Sequence, residues 1–320
     1  MDTPDALVLG GGGTLGEAWM SALLAGLEQH SELDARACGC YVGTSAGSIV
    51  AASLAAGLAP DARLGLLAAM PERNQAWAGV GRAGHESDRS PVSTLRLAFG
   101  GAAELAGAAA APLASLALAS SSRGGALLRR GLLRVVPRGR RSLAELGRIV
   151  EAAGVQWDGR LRIVALDLEN GRRVVFGAAG EPEVSVSVAV QASCAIPGLF
   201  RPVLAGGRTY IDGGAWSPTN IDAAETSSGT KVLCLNPTGS LRPTAGSLAG
   251  ALGPVSRGLA GTEALALRGR GVSVTTVNPD RASAAAMGLN LMDPSRRRAV
   301  IEAGLAQGRE LAARSLRRAA

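Results

Sequence analysis

Four apolar residues, Ala6-Leu7-Val8-Leu9, run without a polar break into the glycines Gly10 to Gly13. An apolar run this short, closed by glycine, reads as a buried strand. From Gly16 to Gln29 the residues Trp19, Leu23, Leu24 and Leu27 recur at helical spacing. A second apolar stretch ends at Tyr41-Val42, breaks on Gly43-Thr44-Ser45-Ala46-Gly47, and gives way to a helix-compatible run from Ser48 to about Leu58. A strand–turn–helix unit met twice predicts a parallel α/β sheet. The pattern resumes at Leu161 to Leu166 and, past the turn signal Asn170-Gly171, at Arg173 to Phe176. Further strands are predicted at Lys231 to Leu235 and Val272 to Val277.

Residues 71–142 differ in character. A polar loop from Pro71 to Pro91 holds His85, an Ala/Leu/Gly-rich stretch covers 92–120, and Arg123 to Arg141 is strongly basic. From about Ser295 the chain reads as a basic helix with Arg296, Arg297, Arg298, Arg317 and Arg318. No repeat of fixed period is present. The expectation is one α/β domain over 1–320, with a core at about 5–70 and 143–280, a helical insertion at 71–142 and a C-terminal helix at 294–318.

Composition supports a large folded core and excludes disorder: of 320 residues 47% are hydrophobic and 18% charged. Lys231 is the only lysine, so the net charge of +7 is carried by arginine. That sign favours anionic partners such as a membrane surface or a phosphate-bearing substrate. No zinc-finger spacing and no basic run interleaved with aromatics is found, so no nucleic-acid partner is expected. Cys38, Cys40, Cys194 and Cys234 lack the C-x-x-C spacing of a metal or redox site and are expected to be buried free thiols. The acidic N-terminus leads straight into a strand, without a signal peptide, and Glu104 and Pro112 interrupt the apolar residues 101–120. A cytoplasmic protein, free or peripheral at a membrane, is expected.

Gly43-Thr44-Ser45-Ala46-Gly47 lies between a predicted strand and a predicted helix, the setting of a nucleophile elbow. The serine of such an elbow sits on a tight turn, so its neighbours two residues away must be small. The competing reading is a simple glycine turn. The order serine, acid, histidine of an α/β-hydrolase triad is not available, because the only histidines are His30 and His85. His30 falls at the end of the first helix and reads as a cap or surface residue. A carboxylate within hydrogen-bond reach of the serine can replace histidine if burial raises its basicity. Asp212, in Tyr210-Ile211-Asp212-Gly213-Gly214, ends an apolar stretch and precedes two glycines that free the backbone to turn. On its own, that tripeptide also fits a plain turn. The loop Gly11-Gly12-Gly13-Thr14-Leu15-Gly16 could aim peptide N–H groups at a developing oxyanion. Gly11, Gly13 and Gly16 also satisfy a dinucleotide fingerprint, with Glu32 and Asp34 as ribose-binding acids placed before, not after, the second strand.

Together these pieces resemble the patatin-like phospholipase family. Gly11 to Gly16 resembles the family's oxyanion loop, with Gly11, Gly12, Gly13 and Thr14 as donors and Gly16 as a motif glycine. Gly43 to Gly47 resembles the nucleophile motif, and Asp212-Gly213-Gly214 the Asp-Gly-Gly/Ala motif. The segment from Gln191 to Val203 is similar to the one preceding the family's catalytic aspartate. Asp167 falls where the family commonly has an aspartate on a central strand, though a capped strand end accounts for it equally well. The resemblance covers about residues 5–60 and 160–236. It implies a three-layer α/β/α sandwich with a mostly parallel sheet, a Ser45–Asp212 dyad, and hydrolysis of lipid acyl esters without metal or other cofactor. Leu15 departs from the pattern, since the family usually has Arg or Lys there, and this touches phospholipid preference more than hydrolase chemistry. Residues 92–141 are a candidate lid or surface for anionic headgroups, or an ordinary insertion with a solvated basic face. Two other functions fit parts of the sequence: a nucleotide-binding, Rossmann-like oxidoreductase and a catalytically silent lipid-binding scaffold.

Overall fold

Uninterrupted apolar runs build strands buried on both faces, as parallel sheets require. A computed structural model describes residues 1–68, 139–241 and 252–319. His85 and nearly all of the expected insertion therefore lie outside the described residues. Strand β1 (Ala6–Leu9) is flanked by β2 (Cys40–Thr44) and β7 (Lys231–Leu235), both parallel to it. Strand β8 (Ser273–Val277) extends the sheet beyond β7, and β3 (Leu161–Asp167) extends it beyond β2, again in parallel. The two-residue side-chain period sends alternate residues to opposite cores. Leu7, Leu9, Leu233 and Leu235 face one cluster, and Ala6, Val8, Val232 and Cys234 face the other. The expected three-layer sandwich is present.

Helix α1 (Gly13–Glu28) follows β1, and α2 (Ala46–Ala55) follows β2, each starting earlier than the apolar spacing predicts. Both pack in the first layer with α3 (Pro60–Ala68), α4 (Ala144–Ala152) and α5 (Val186–Ser193). The opposite layer is carried by α6 (Leu252–Arg268), which buries Ala260, Ala264 and Leu267 on the sheet. A short helix α7 (Arg281–Met287) leads to the C-terminal α8 (Arg297–Ala319). Basic as it is, α8 lies tightly against α1: a Cβ on Gly308 would overlap the Leu23 carbonyl oxygen, and one on Gly26 would reach to 3.2 Å from Gly308 Cα. Trp19 Nε1 donates to Gln307 Oε1 at 2.9 Å across the same contact.

Two strands not anticipated from sequence form a hairpin, β5 (Val203–Ala205) and β6 (Arg208–Asp212), around Gly206 and Gly207, both at positive φ. Strand β4 (Arg173–Phe176) runs antiparallel to β3 over Ile163 to Leu166. Strand β6 pairs with β3 over Ala165 to Asp167, and β2 with β3 over Leu161 to Val164. A strand has only two edges. The overlapping registers put β4 on one edge of β3 and leave β2 and β6 to share the other. They meet end to end there: Thr44 is opposite Val164, and Asp212 is opposite Ala165.

All four cysteines are free and buried, as expected. Burial pushes the Cys38 thiol up to about 12. Among the described residues no helix is long and apolar enough to cross a membrane.

Candidate active site

The end-to-end meeting of β2 and β6 brings Ser45 and Asp212 together. Ser45 has φ 52° and ψ −123°, a left-handed conformation that costs a non-glycine residue strain and is held by its surroundings. Those surroundings explain the flanking glycines. A Cβ on Gly43 would stand 2.5 Å from Ser48 Cα, and one on Gly47 would overlap the Leu9 carbonyl oxygen. The elbow can pass this close to β1 and α2 only with both positions bare.

The Ser45 amide donates to Ser193 Oγ at 2.9 Å, and Ser193 Oγ donates onward to the Val164 carbonyl at 2.6 Å. The last residue of α5 thus fixes the strained serine to the central strand. Two residues on, the Ala195 carbonyl accepts from the Asp212 amide at 3.0 Å. The segment from Gln191 to Val203 therefore holds both halves of the site.

Asp212 is buried and lines the same recess as Ser45. Gly214 N–H donates to Asp212 Oδ1 at 2.7 Å. Burial pushes the carboxyl up to about 7, against the opposing pull of the Ser45 hydroxyl and the Gly214 amide. A Cβ on Gly213 would overlap the Val164 carbonyl oxygen, so this glycine lets the strand end lie flat on β3. Beyond it, Asn220 is fully buried at φ 54° and was not foreseen from sequence. Its Nδ2 donates to Thr44 Oγ1 at 3.1 Å and to the Ser217 carbonyl at 2.6 Å, bridging the elbow and the loop after Asp212. Only the fold could have revealed it, because Thr44, its partner on the elbow, is remote in sequence.

The glycine loop wraps the same point. The Gly11 amide donates to the Pro218 carbonyl at 2.8 Å, so it holds the loop in place. For the amides of Gly12, Gly13 and Thr14, and for that of Ala46 next to Ser45, no acceptor is found among the described residues. Gly12 and Gly16 lie under Pro237, where a Cβ would come to 2.5 Å and 3.0 Å of its Cβ. Gly13, at φ 59°, has Met292 and Leu291 directly over it. Gly11, Gly12, Gly13, Ser45, Asp212 and Gly214 line one recess. Leu15 points away and is completely buried.

Other candidates take ordinary places. Asp167 is buried at the end of β3, where it accepts from the Glu169 amide at 2.8 Å and from Arg208 at 2.7 Å, a capped strand end. His30 bonds through Nδ1 to the Gly26 carbonyl at 3.1 Å, capping α1. Glu32 and Asp34 follow the far end of α1, about 24 Å from the glycine loop at 1.5 Å per residue, where they cannot reach a ribose bound there. Among the described residues no group of three or more His, Cys, Asp or Glu could hold a metal ion.

Two solved structures are similar to the chain. One is VipD from Legionella pneumophila, at a TM-score of 0.42 and 16% identity over 98% of this chain and 67% of that one. The other is the complex of full-length SpcU with full-length ExoU from the type III secretion system of Pseudomonas aeruginosa, at a TM-score of 0.32 and 19% identity. The chain covers 53% of that second structure's chain, about half its length. No curated protein sequence matches this one significantly. The family model for patatin-like phospholipase matches residues 7–225, which take in the glycine loop, the Ser45 elbow and Asp212. The chain belongs to the patatin-like phospholipase family.

Proposed function

We propose that the protein is a serine acyl hydrolase that cleaves lipid acyl esters with Ser45 as nucleophile and Asp212 as base. The observation that carries this is the meeting of Ser45 with a buried carboxylate in one recess, where burial lifts the pKa of that carboxylate to about 7. An ordinary exposed aspartate is too weak a base for a serine, whereas one titrating near neutrality is suited to proton transfer at physiological pH. The Ser45 proton passes to Asp212 as Oγ bonds to the ester carbonyl carbon. Amides of Gly12, Gly13 and Ala46 are placed to stabilise the oxyanion. On collapse the ester C–O bond breaks, and the departing alcohol takes the proton from Asp212. Water then gives a proton to Asp212 and attacks the acyl-enzyme. The fatty acid leaves, and Ser45 regains its proton. Neither metal nor organic cofactor enters this scheme.

The fluorophosphonate test follows directly. The protein is expected to be labelled, and Ser45→Ala to abolish labelling. Asp212→Asn with its fold intact is expected to lose ester turnover. Near-normal turnover in that variant rules out the dyad, and an unlabelled wild type leaves a silent scaffold. The net charge of +7 supports action from the cytoplasm at an anionic membrane surface.

A further inference from the structure

Ser45 opens on two recesses. One lies on the glycine-loop side, between Asp212, Thr238 and Met292, with a cavity volume of about 50 Å³. The other, of about 40 Å³, lies between the first turns of α1 and α2 and the helix α4, and is walled by Ile49, Leu146 and Phe200. Each is well below the roughly 150 Å³ of an apolar cavity that takes up benzene.

Their charge is as informative as their size. Among the described residues neither recess is lined by a lysine or arginine. Leu15, within the glycine loop itself, has its side chain wholly in the core. Among the described residues the single charged side chain lining the α4-side recess is Glu17. Glu17 is 2% exposed and paired with Arg63, itself 1% exposed, which also donates to Ser53 Oγ at 3.1 Å. Glu17 stands about one helical turn, roughly 5.4 Å, beyond Gly13 on α1, and Ile49 the same distance beyond Ser45 on α2. That span fits a chain of only a few carbons. A longer alkyl chain would have to displace a fully buried ion pair, and separating such a pair leaves an uncompensated charge in an apolar interior.

We propose that the site takes neutral esters of short acyl chains. The α4-side recess receives the acyl chain, the Glu17–Arg63 pair bounds it on the α1 side, and the glycine-loop recess receives an uncharged alcohol. The proposal rests on the hydrolase reading above and narrows its substrate.

The test uses the full chain and p-nitrophenyl acetate, butyrate, octanoate and palmitate below their aggregation limits. Specificity kcat/KM is expected to peak at acetate or butyrate and to fall at least about tenfold by palmitate, the scale on which hydrophobic pockets discriminate chain length. Equal or better turnover of palmitate overturns the proposal. In a second arm, dihexanoylglycerol is compared with dihexanoylglycerol phosphate, which has the same acyl groups. The uncharged ester is expected to be preferred, and a preference for the phosphate overturns the neutral-alcohol half. Ile49→Ala, folded by circular dichroism, is expected to move the optimum toward octanoate. An unchanged optimum reassigns the recess. Should Ser45 fail to react with fluorophosphonate, the hydrolase reading falls, whereas labelling combined with long-chain preference removes only this inference.

Discussion

In the proposed dyad, Asp212 couples activity to stability through one proton. An exposed aspartate titrates near 3.8, whereas burial holds this one at about 7. Between those values the folded chain keeps a proton that the unfolded chain has released, so stability falls as pH rises from about 4 through 7 and then levels off. The proposed mechanism makes activity run the other way, because only the ionised carboxylate accepts the Ser45 proton. We expect kcat/KM to fall about tenfold per pH unit below pH 7 with the slope of one ionisation, and to plateau above it. A profile flat from pH 5 to 8 removes Asp212 as base. Asp212→Asn carries no ionisation penalty, so at pH 8 its Tm should exceed that of the wild type, on the order of 2–4 °C for each kcal/mol relieved. At pH 4, where the wild-type side chain is protonated in the fold, the two should melt together. Scanning calorimetry at both values checks this. Ser45 and Asp212 were legible as residues because each sits in a short pattern with glycines whose missing Cβ atoms the structure explains.

The elements were legible where periodicity was local. Strands at 6–9, 161–166, 173–176 and 231–235 agree with the structure to within a residue, since an apolar run reports burial directly. Helix α5 shows where this fails. Val184, Val186, Val188 and Val190 alternate as in a strand, yet Val186 to Ser193 is helical. Ser185 caps it by accepting from the Val188 amide at 3.3 Å, and Val186, Ala189 and Val190 bury one helical face. Tertiary burial overrides the intrinsic preference of valine, and that helix delivers Ser193 to Ser45. The hairpin β5–β6 had a readable signal in Gly206-Gly207. The basic charge of α8 concealed its role, because small residues rather than large apolar ones make its contact with α1. Gly308→Val would force a side chain onto the Leu23 carbonyl. We expect a loss of about 1–3 kcal/mol, the usual scale for overpacking, measured by urea unfolding. A change within error means that α8 can move off α1 freely.

At the scale of the whole molecule, Arg63 and Arg297 are the arginines buried among the described residues, and most of the others there reach the surface. Fixed positive charge attracts anionic lipid over about a Debye length, roughly 8 Å at physiological salt. The protein is expected to co-sediment with phosphatidylserine-containing vesicles more than with phosphatidylcholine alone, and to be released as salt rises toward 1 M. Equal binding to both kinds of vesicle discards electrostatic docking. Five of the arginines, at 123–138, lie outside the described residues, so the measurement bears on the protein as a whole.

The linear sequence by itself determined the α/β class, most strands, the buried thiols, and the two glycine-flanked motifs that hold Ser45 and Asp212. Each of these depends on neighbours within a few residues. Only the tertiary structure decided that β2 and β6 end against the same edge of β3, which sets Ser45 beside Asp212. It also decided that Pro218 takes the Gly11 amide while those of Gly12 and Gly13 have no acceptor among the described residues, and that Leu15 lies in the core. Strand register and the close approach of distant loops are non-local, and no pattern of residues along the chain encodes them one position at a time.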